Sequence, residues 1–128
     1  MRVLIADDDE ESILYLSKGL TSHGHSIVSC LNGREALSIL LSSQPPDIAL
    51  IDWVMPEMTG PEVSEKFRQT PTMNQPYLIL LTARDEKEDI LAGLRSGAND
   101  YITKPIKFNE LASRLTVAKK NIFLGRLS

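Results

Sequence analysis

The runs Val3-Leu4-Ile5-Ala6, Ile48-Ala49-Leu50-Ile51 and Leu78-Ile79-Leu80-Leu81 have the length of buried strands, and stretches of helical spacing separate them. That alternation is the pattern of βα repeats around a parallel sheet. Residues 2–6 read as the first strand, followed by a helix whose buried stripe is Ile13, Leu16 and Leu20. Residues 26–30 form a weaker second strand. Asn32, with Glu35 three positions on, reads as the cap of a helix through Ala36, Leu37, Leu40 and Leu41, which Gln44-Pro45-Pro46 should stop. Residues 47–52 are the third strand, then a loop with Pro56 and Gly60 and a helix around 61–69. Pro71 and Pro76 bracket the loop before the fourth strand, 77–82. Asp85 is expected to cap a helix to about Ser96, with Gly97 at its left-handed end. A brief fifth strand at 100–103 precedes Lys104-Pro105, and the last helix buries Leu111, Leu115, Ala118 and Ile122 on one face. Five strands and five helices in strict alternation predict an α/β, doubly wound sheet, with right-handed crossovers placing helices on both faces.

At 128 residues and 42% hydrophobic, the chain fits one domain with a real core. A net charge of −3 argues against direct nucleic-acid binding through a basic face. Cys30, the single cysteine, excludes an internal disulfide framework and, set in Ile27-Val28-Ser29-Cys30, reads as a packed thiol. The first apolar run is short and interrupted by acids, unlike a signal peptide, and no run is long enough to span a membrane. A cytoplasmic domain is the expectation.

The chemistry concentrates where strands end. Asp7-Asp8-Asp9 follows the first strand and Asp52 closes the third. Open α/β sheets bind ligands outside the carboxyl ends of their strands, and neighbouring strands lie about 5 Å apart. Carboxylates that close raise each other's pKa unless a cation neutralises them, and hard oxygen ligands without Cys or His point to Mg²⁺. Thr82 and Lys104 reach the same edge from the fourth and fifth strands. A carboxylate nucleophile, a metal beside it, an ammonium and a hydroxyl are the parts that an aspartyl-phosphate requires.

Each residue also has a purely structural reading. Asp9, with Glu10 and Glu11, reads as a helix N-terminal acid favoured by the macrodipole rather than as a ligand. Asp7-Asp8 as a solvated turn, Thr82 as a mere strand residue and Lys104 as a surface lysine are disfavoured by their joint placement. His23 and His25 flank Gly24 and read as solvated loop residues. Trp53 is expected against the acidic pocket, as packing rather than as a cofactor platform.

The chain resembles the receiver domain of two-component response regulators. The matching stretches are Leu4-Ile5-Ala6-Asp7-Asp8-Asp9, Ile51-Asp52-Trp53-Val54-Met55-Pro56-Glu57-Met58-Thr59-Gly60, Leu80-Leu81-Thr82-Ala83 and Gly97-Ala98-Asn99-Asp100-Tyr101-Ile102-Thr103-Lys104-Pro105. They run in the family's order from about residue 1 to about 118. The resemblance implies a flavodoxin-like strand order, 2-1-3-4-5, and phosphoryl transfer to Asp52 from a phosphohistidine on a sensor histidine kinase or phosphotransfer protein. It implies Mg²⁺ bound by Asp8, Asp52 and the Val54 carbonyl, with Asp7 acting through water. Lys104, Thr82 and the Ala83 amide would hold phosphoryl oxygens, Tyr101 would be the switch aromatic that answers Thr82, and Lys104-Pro105 would be cis. Such a module is not an enzyme beyond its own phosphorylation and dephosphorylation.

The sequence departs from the pattern in two places. Asp100 and Arg114 stand on the face that often dimerises, but Ile90 and Thr116 replace further charged partners, so dimerisation there is not expected. Lys107 stands where a capping side chain is usual, so the last helix is expected to fray at its start. Two other classes compete. A haloacid-dehalogenase-type phosphatase would carry its nucleophile on the first motif, and a degenerate receiver would lack an acid or the lysine; neither condition is met. Residues 1–118 are expected to form the receiver, and 119–128 the end of the last helix or the start of a linker to an output domain.

Overall fold

A computed structural model describes residues 1–83 and 87–127. The strands are β1 (Arg2–Ala6), β2 (Ser26–Cys30), β3 (Ile48–Asp52), β4 (Tyr77–Thr82) and β5 (Asp100–Thr103). The helices are α1 (Glu10–Ser22), α2 (Gly33–Leu40), α3 (Gly60–Gln69), α4 (Lys87–Arg95) and α5 (Phe108–Leu127). All strand pairs are parallel, in the order β2-β1-β3-β4-β5, the expected doubly wound sheet.

Successive strand residues point to opposite faces, so each apolar run feeds two cores. On one face Leu4, Ala49, Ile51, Leu78 and Leu80 pack with Ala36 and Leu40 of α2 and Val63 and Phe67 of α3. On the other, Val3, Ile5, Leu50, Ile79 and Leu81 pack with Leu16 and Leu20 of α1 and Leu111, Leu115 and Ala118 of α5. The stripes read from helical spacing are therefore the buried ones, with Ile13 and Ile122 partly buried beside them.

The helix starts follow their caps. Asp9 is the N-cap of α1, its carboxylate accepting from the Glu11 amide at 3.1 Å and the Ser12 hydroxyl at 2.9 Å. This is the N-terminal role expected of it. Asn32 caps α2 through the Glu35 amide at 2.9 Å, and Thr59 and Glu62 form a reciprocal capping box on α3. The Asp85 cap lies outside the described residues. Gly97 has φ +112 just past α4, a conformation that costs any residue with a Cβ.

Two expectations need correction. α2 stops at Leu40, short of the prolines: Leu41 leaves helical geometry at φ −93, ψ 3, and the Ile39 carbonyl accepts from the Ser42 amide at 3.2 Å and the Ser42 hydroxyl at 2.7 Å, tightening the last turn. Nor is His25 simply solvated, although His23 is exposed as expected. The exposed His23 ring lies 5.0 Å from the Phe108 ring, with Nδ1 2.9 Å from the Gly19 carbonyl, and His25 is half-buried.

Candidate functional site

The sheet order places the carboxyl ends of β1 and β3 side by side. Ala6 pairs with Ile51, so Asp7 follows β1 directly beside Asp52, the last residue of β3. The ladder continues past the strand ends, since the Asp7 amide donates to the Cys30 carbonyl at 3.1 Å and the Trp53 amide to Leu81 at 2.8 Å. On the other flank the Lys104 amide donates to the Thr82 carbonyl at 2.7 Å, which fixes the lysine beside the end of β4. The Lys104-Pro105 bond is cis, as expected. Asp7, Asp8, Asp52, Thr82 and Lys104 thus share one edge, although 97 positions separate Asp7 from Lys104 in sequence.

Asp7, Asp52 and Thr82 are buried, whereas Asp8 is exposed at the rim. One oxygen from each of Asp7, Asp8 and Asp52 falls within 4.8 Å of the others. Lys104 Nζ lies 2.8 Å from Asp52 Oδ1 and 3.7 Å from Asp7 Oδ2. Asp7 Oδ1 accepts from the Asp9 amide at 2.9 Å, while buried Asp7 Oδ2 has no hydrogen-bond donor.

Burial pushes the Asp52 carboxyl above the ordinary carboxylate range, and Asp7 and Asp8 push the same way; the bond from Lys104 offsets this only in part. Asp7 is likewise raised, by burial first, against the Asp9 amide and Lys104. For Lys104, burial works to lower the ammonium pKa, but the bond and the attraction from Asp52 and Asp7 outweigh it, and the net shift is upward. The single lysine does not neutralise the acidic edge. A cluster of hard oxygens with one buried, donor-free carboxylate oxygen fits a divalent cation.

Val54 is exposed at the rim, and Ala83 is exposed just past β4. Tyr101, paired with Leu80 across β4 and β5, is half-buried against the core under α2 and α3. Trp53 turns its ring toward α4, where a Cβ on Gly93 would lie 2.8 Å from the six-membered ring. It packs, as expected, with its ring against α4 and the core beneath α2 and α3. Asp100 and Arg114 form an ion pair at 3.4 Å.

Sequence reasoning missed the contacts that shape the loop after Asp52. The Gly60 amide donates to the Trp53 carbonyl at 2.8 Å, and the Gly33 amide to Pro56 at 3.3 Å. Arg68 also escaped notice: its guanidinium donates to Gly97, Gln75, Pro76 and Asn99, tying α3 to the segments before β4 and β5. A glycine opening a helix was a visible signal, but its partner loop was not.

The family model described as the response regulator receiver domain matches residues 3–116. The response regulator MprA of Mycolicibacterium vanbaalenii is 39% identical over 115 residues, 90% of this chain and 48% of that protein. A probable cyclic di-GMP phosphodiesterase of Vibrio cholerae is 36% identical over 119 residues, 93% of this chain and 26% of that protein. The solved Francisella response regulator 1452 receiver domain aligns with a TM-score of 0.85 at 32% identity, covering 94% of this chain and 97% of that one. The chain spans about half the length, or less, of these curated relatives. No described helix is long and apolar enough to cross a membrane. Matched over nearly its whole length, with the sheet order and the acidic edge in place, the chain belongs to the receiver-domain family of two-component response regulators.

Proposed function

We propose that this regulatory domain accepts a phosphoryl group on Asp52 from a sensor histidine kinase or a phosphotransfer protein, in a Mg²⁺-dependent reaction. The observation that carries the reading is the buried Asp52 carboxylate, held 2.8 Å from Lys104 beside the donor-free oxygen of Asp7. In the transfer the N–P bond of the phosphohistidine breaks, an Oδ–P bond forms on Asp52, and the freed imidazole takes a proton from solvent. Asp8, Asp52 and the Val54 carbonyl would hold Mg²⁺, with Asp7 acting through water. When bound, the ion supplies positive charge against the phosphoryl oxygens. Lys104 exchanges its contact with Asp52 for one with a phosphoryl oxygen, acting as a point charge, while the Thr82 hydroxyl and the Ala83 amide donate to others. The donor's imidazole departs on transfer, and the phosphoryl group stays on Asp52 until it is hydrolysed, so the role is a switch.

The reading also places the domain in the cytoplasm, at residues 1–118, with 119–128 as the end of the last helix or the start of a linker to an output domain. α5 runs from Phe108 to Leu127, so 119–127 are helical. The test is intact mass after incubation with Mg²⁺ and acetyl phosphate. One phosphoryl adduct is expected on the wild type and none on Asp52→Asn. An adduct that survives the substitution, or a wild type inert to acetyl phosphate and kinase alike, sinks the assignment.

Thr82 and Tyr101 are the proposed trigger and responder. A phosphoryl group shifts a conformational equilibrium only through contacts that differ between the states. As Thr82 moves toward the phosphate, the space it leaves admits the half-buried Tyr101 ring. Amide exchange across 87–105 is expected to change when a stable phosphoryl mimic binds the wild type, and not in Thr82→Ala, which keeps Mg²⁺ binding. An equal change in both proteins removes Thr82 from the mechanism.

A further inference from the structure

The loop from Trp53 to Thr59 holds the backbone on which the Val54 carbonyl sits, and two helix N-termini clamp it through glycines. At its far end, the Gly60 amide donates to the Trp53 carbonyl at 2.8 Å, and a Cβ on Gly60 would lie 2.6 Å from the Asp52 carbonyl oxygen. In its middle, the turn at Pro56–Met58 is closed by the Met58 amide donating to the Pro56 carbonyl at 2.8 Å. That same carbonyl accepts from the Gly33 amide at 3.3 Å, in the first turn of α2. A Cβ on Gly33 would overlap the Met58 carbonyl oxygen and lie 2.8 Å from its carbonyl carbon, so the obstacle is backbone and cannot swing aside. Between them Glu57 holds φ +69, a left-handed conformation rare for a residue with a long side chain, with its carboxylate 3.9 Å from Arg34 Nε.

We propose that Gly33 is a positioning residue for the phosphoacceptor site: it admits the β3–α3 loop against α2 and thereby sets the Val54 carbonyl and the affinity for Mg²⁺. This rests on the proposed function above and names one control on that site. Asp52 is fixed by the sheet and Gly60 by α3, while Pro56 carries a ring-locked φ. With both ends anchored, a displacement of Met58 is shared along the short loop from Trp53 to Thr59, which includes Val54. Metal–ligand distances tolerate only about 0.2 Å, so a loop shift of a few tenths of an ångström registers in affinity. Residues that orient ligands from behind typically change metal affinity by about 10- to 100-fold.

The experiment measures Mg²⁺ binding by titration calorimetry and adduct formation with acetyl phosphate on the full chain. Gly33→Ala is expected to weaken Mg²⁺ binding by about tenfold or more and to slow phosphorylation. Asn32→Ala, which removes the α2 cap and loosens the same first turn, is expected to weaken binding severalfold. Gly24→Ala is the matched control. Gly24 has φ +86 with nothing near its Cβ direction, so the substitution strains a turn remote from the acids. It is expected to lower the thermal midpoint while leaving Mg²⁺ affinity within about twofold, because nothing it touches reaches the loop.

A wild type that binds Mg²⁺ while Gly33→Ala binds it equally well overturns the positioning role alone. If Gly33→Ala does not fold, Asn32→Ala decides, and unchanged affinity there overturns it. A wild type that binds no Mg²⁺ overturns the functional reading and the positioning role together.

Discussion

Mg²⁺ at a hundredfold its dissociation constant is expected to raise the thermal midpoint of this domain by about 10 °C near neutral pH. A ligand bound only by the native state at that concentration adds about 2.7 kcal/mol, and a domain of this size gains about 4 °C per kcal/mol. The pH dependence has a definite sign. Burial holds Asp7 and Asp52 above the ordinary carboxylate range in the folded protein. Below an unfolded pKa of about 3.9 both states are protonated and these groups contribute nothing. As pH rises from there through the raised folded values, the unfolded chain releases its protons first, and the metal-free fold loses stability. The gain from Mg²⁺ should therefore appear at neutral pH and vanish in acid, where the ligands are protonated. Asp7→Asn removes one raised carboxyl and should melt higher than wild type without metal. Asp8→Ala should abolish most of the Mg²⁺ response. Scanning calorimetry with Mg²⁺ or with a chelator reads all three, and a midpoint indifferent to Mg²⁺ would mean that the acidic edge holds no cation.

Phe67→Ala is expected to cost about 3–5 kcal/mol, or about 12–20 °C in midpoint. The ring is fully buried on the inner face of α3, in one cluster with Leu4, Ile51, Leu78 and Leu80. Its loss leaves a cavity that strands packed on both faces cannot collapse into. The Arg68 guanidinium, 5.4 Å from the ring centroid, loses its aromatic face as well. Phe123→Ala is the contrast: that side chain is 61% exposed, and its removal should change stability by less than about 0.5 kcal/mol. Urea unfolding compares the two, and similar midpoints would show that α3 is not held by its core face. Because α3 begins at Gly60, which grips the loop after Asp52, Phe67→Ala should also weaken Mg²⁺ binding.

The strands were legible because their apolar runs are short, bounded and followed by turn residues. The stretches 2–6, 26–30 and 77–82 coincide with β1, β2 and β4. Asp9 and Asn32 announced two helix starts, since a cap is a local bond between neighbours in sequence. Asp7, Asp8, Asp52, Thr82 and Lys104 were legible as a group because parallel strands deliver their ends to one edge, so position in the repeat stands in for position in space. Helix ends were harder: Pro45 marks where α2 could not continue, but the last turn tightens earlier, where Ser42 closes on the Ile39 carbonyl.

Contacts between elements distant in sequence carry no such local mark. The amino-acid order determined the βα alternation, the two faces of each strand and which carboxylates share the carboxyl edge of the sheet. Only the tertiary structure decided that the Trp53 ring meets Gly93, that Lys104 stands on Asp52 while one oxygen of Asp7 is left without a donor, and that Gly33 lies against Met58. The reason is physical: periodicity and capping are set within a few residues of chain, whereas a close approach depends on how two helices and a loop share one volume.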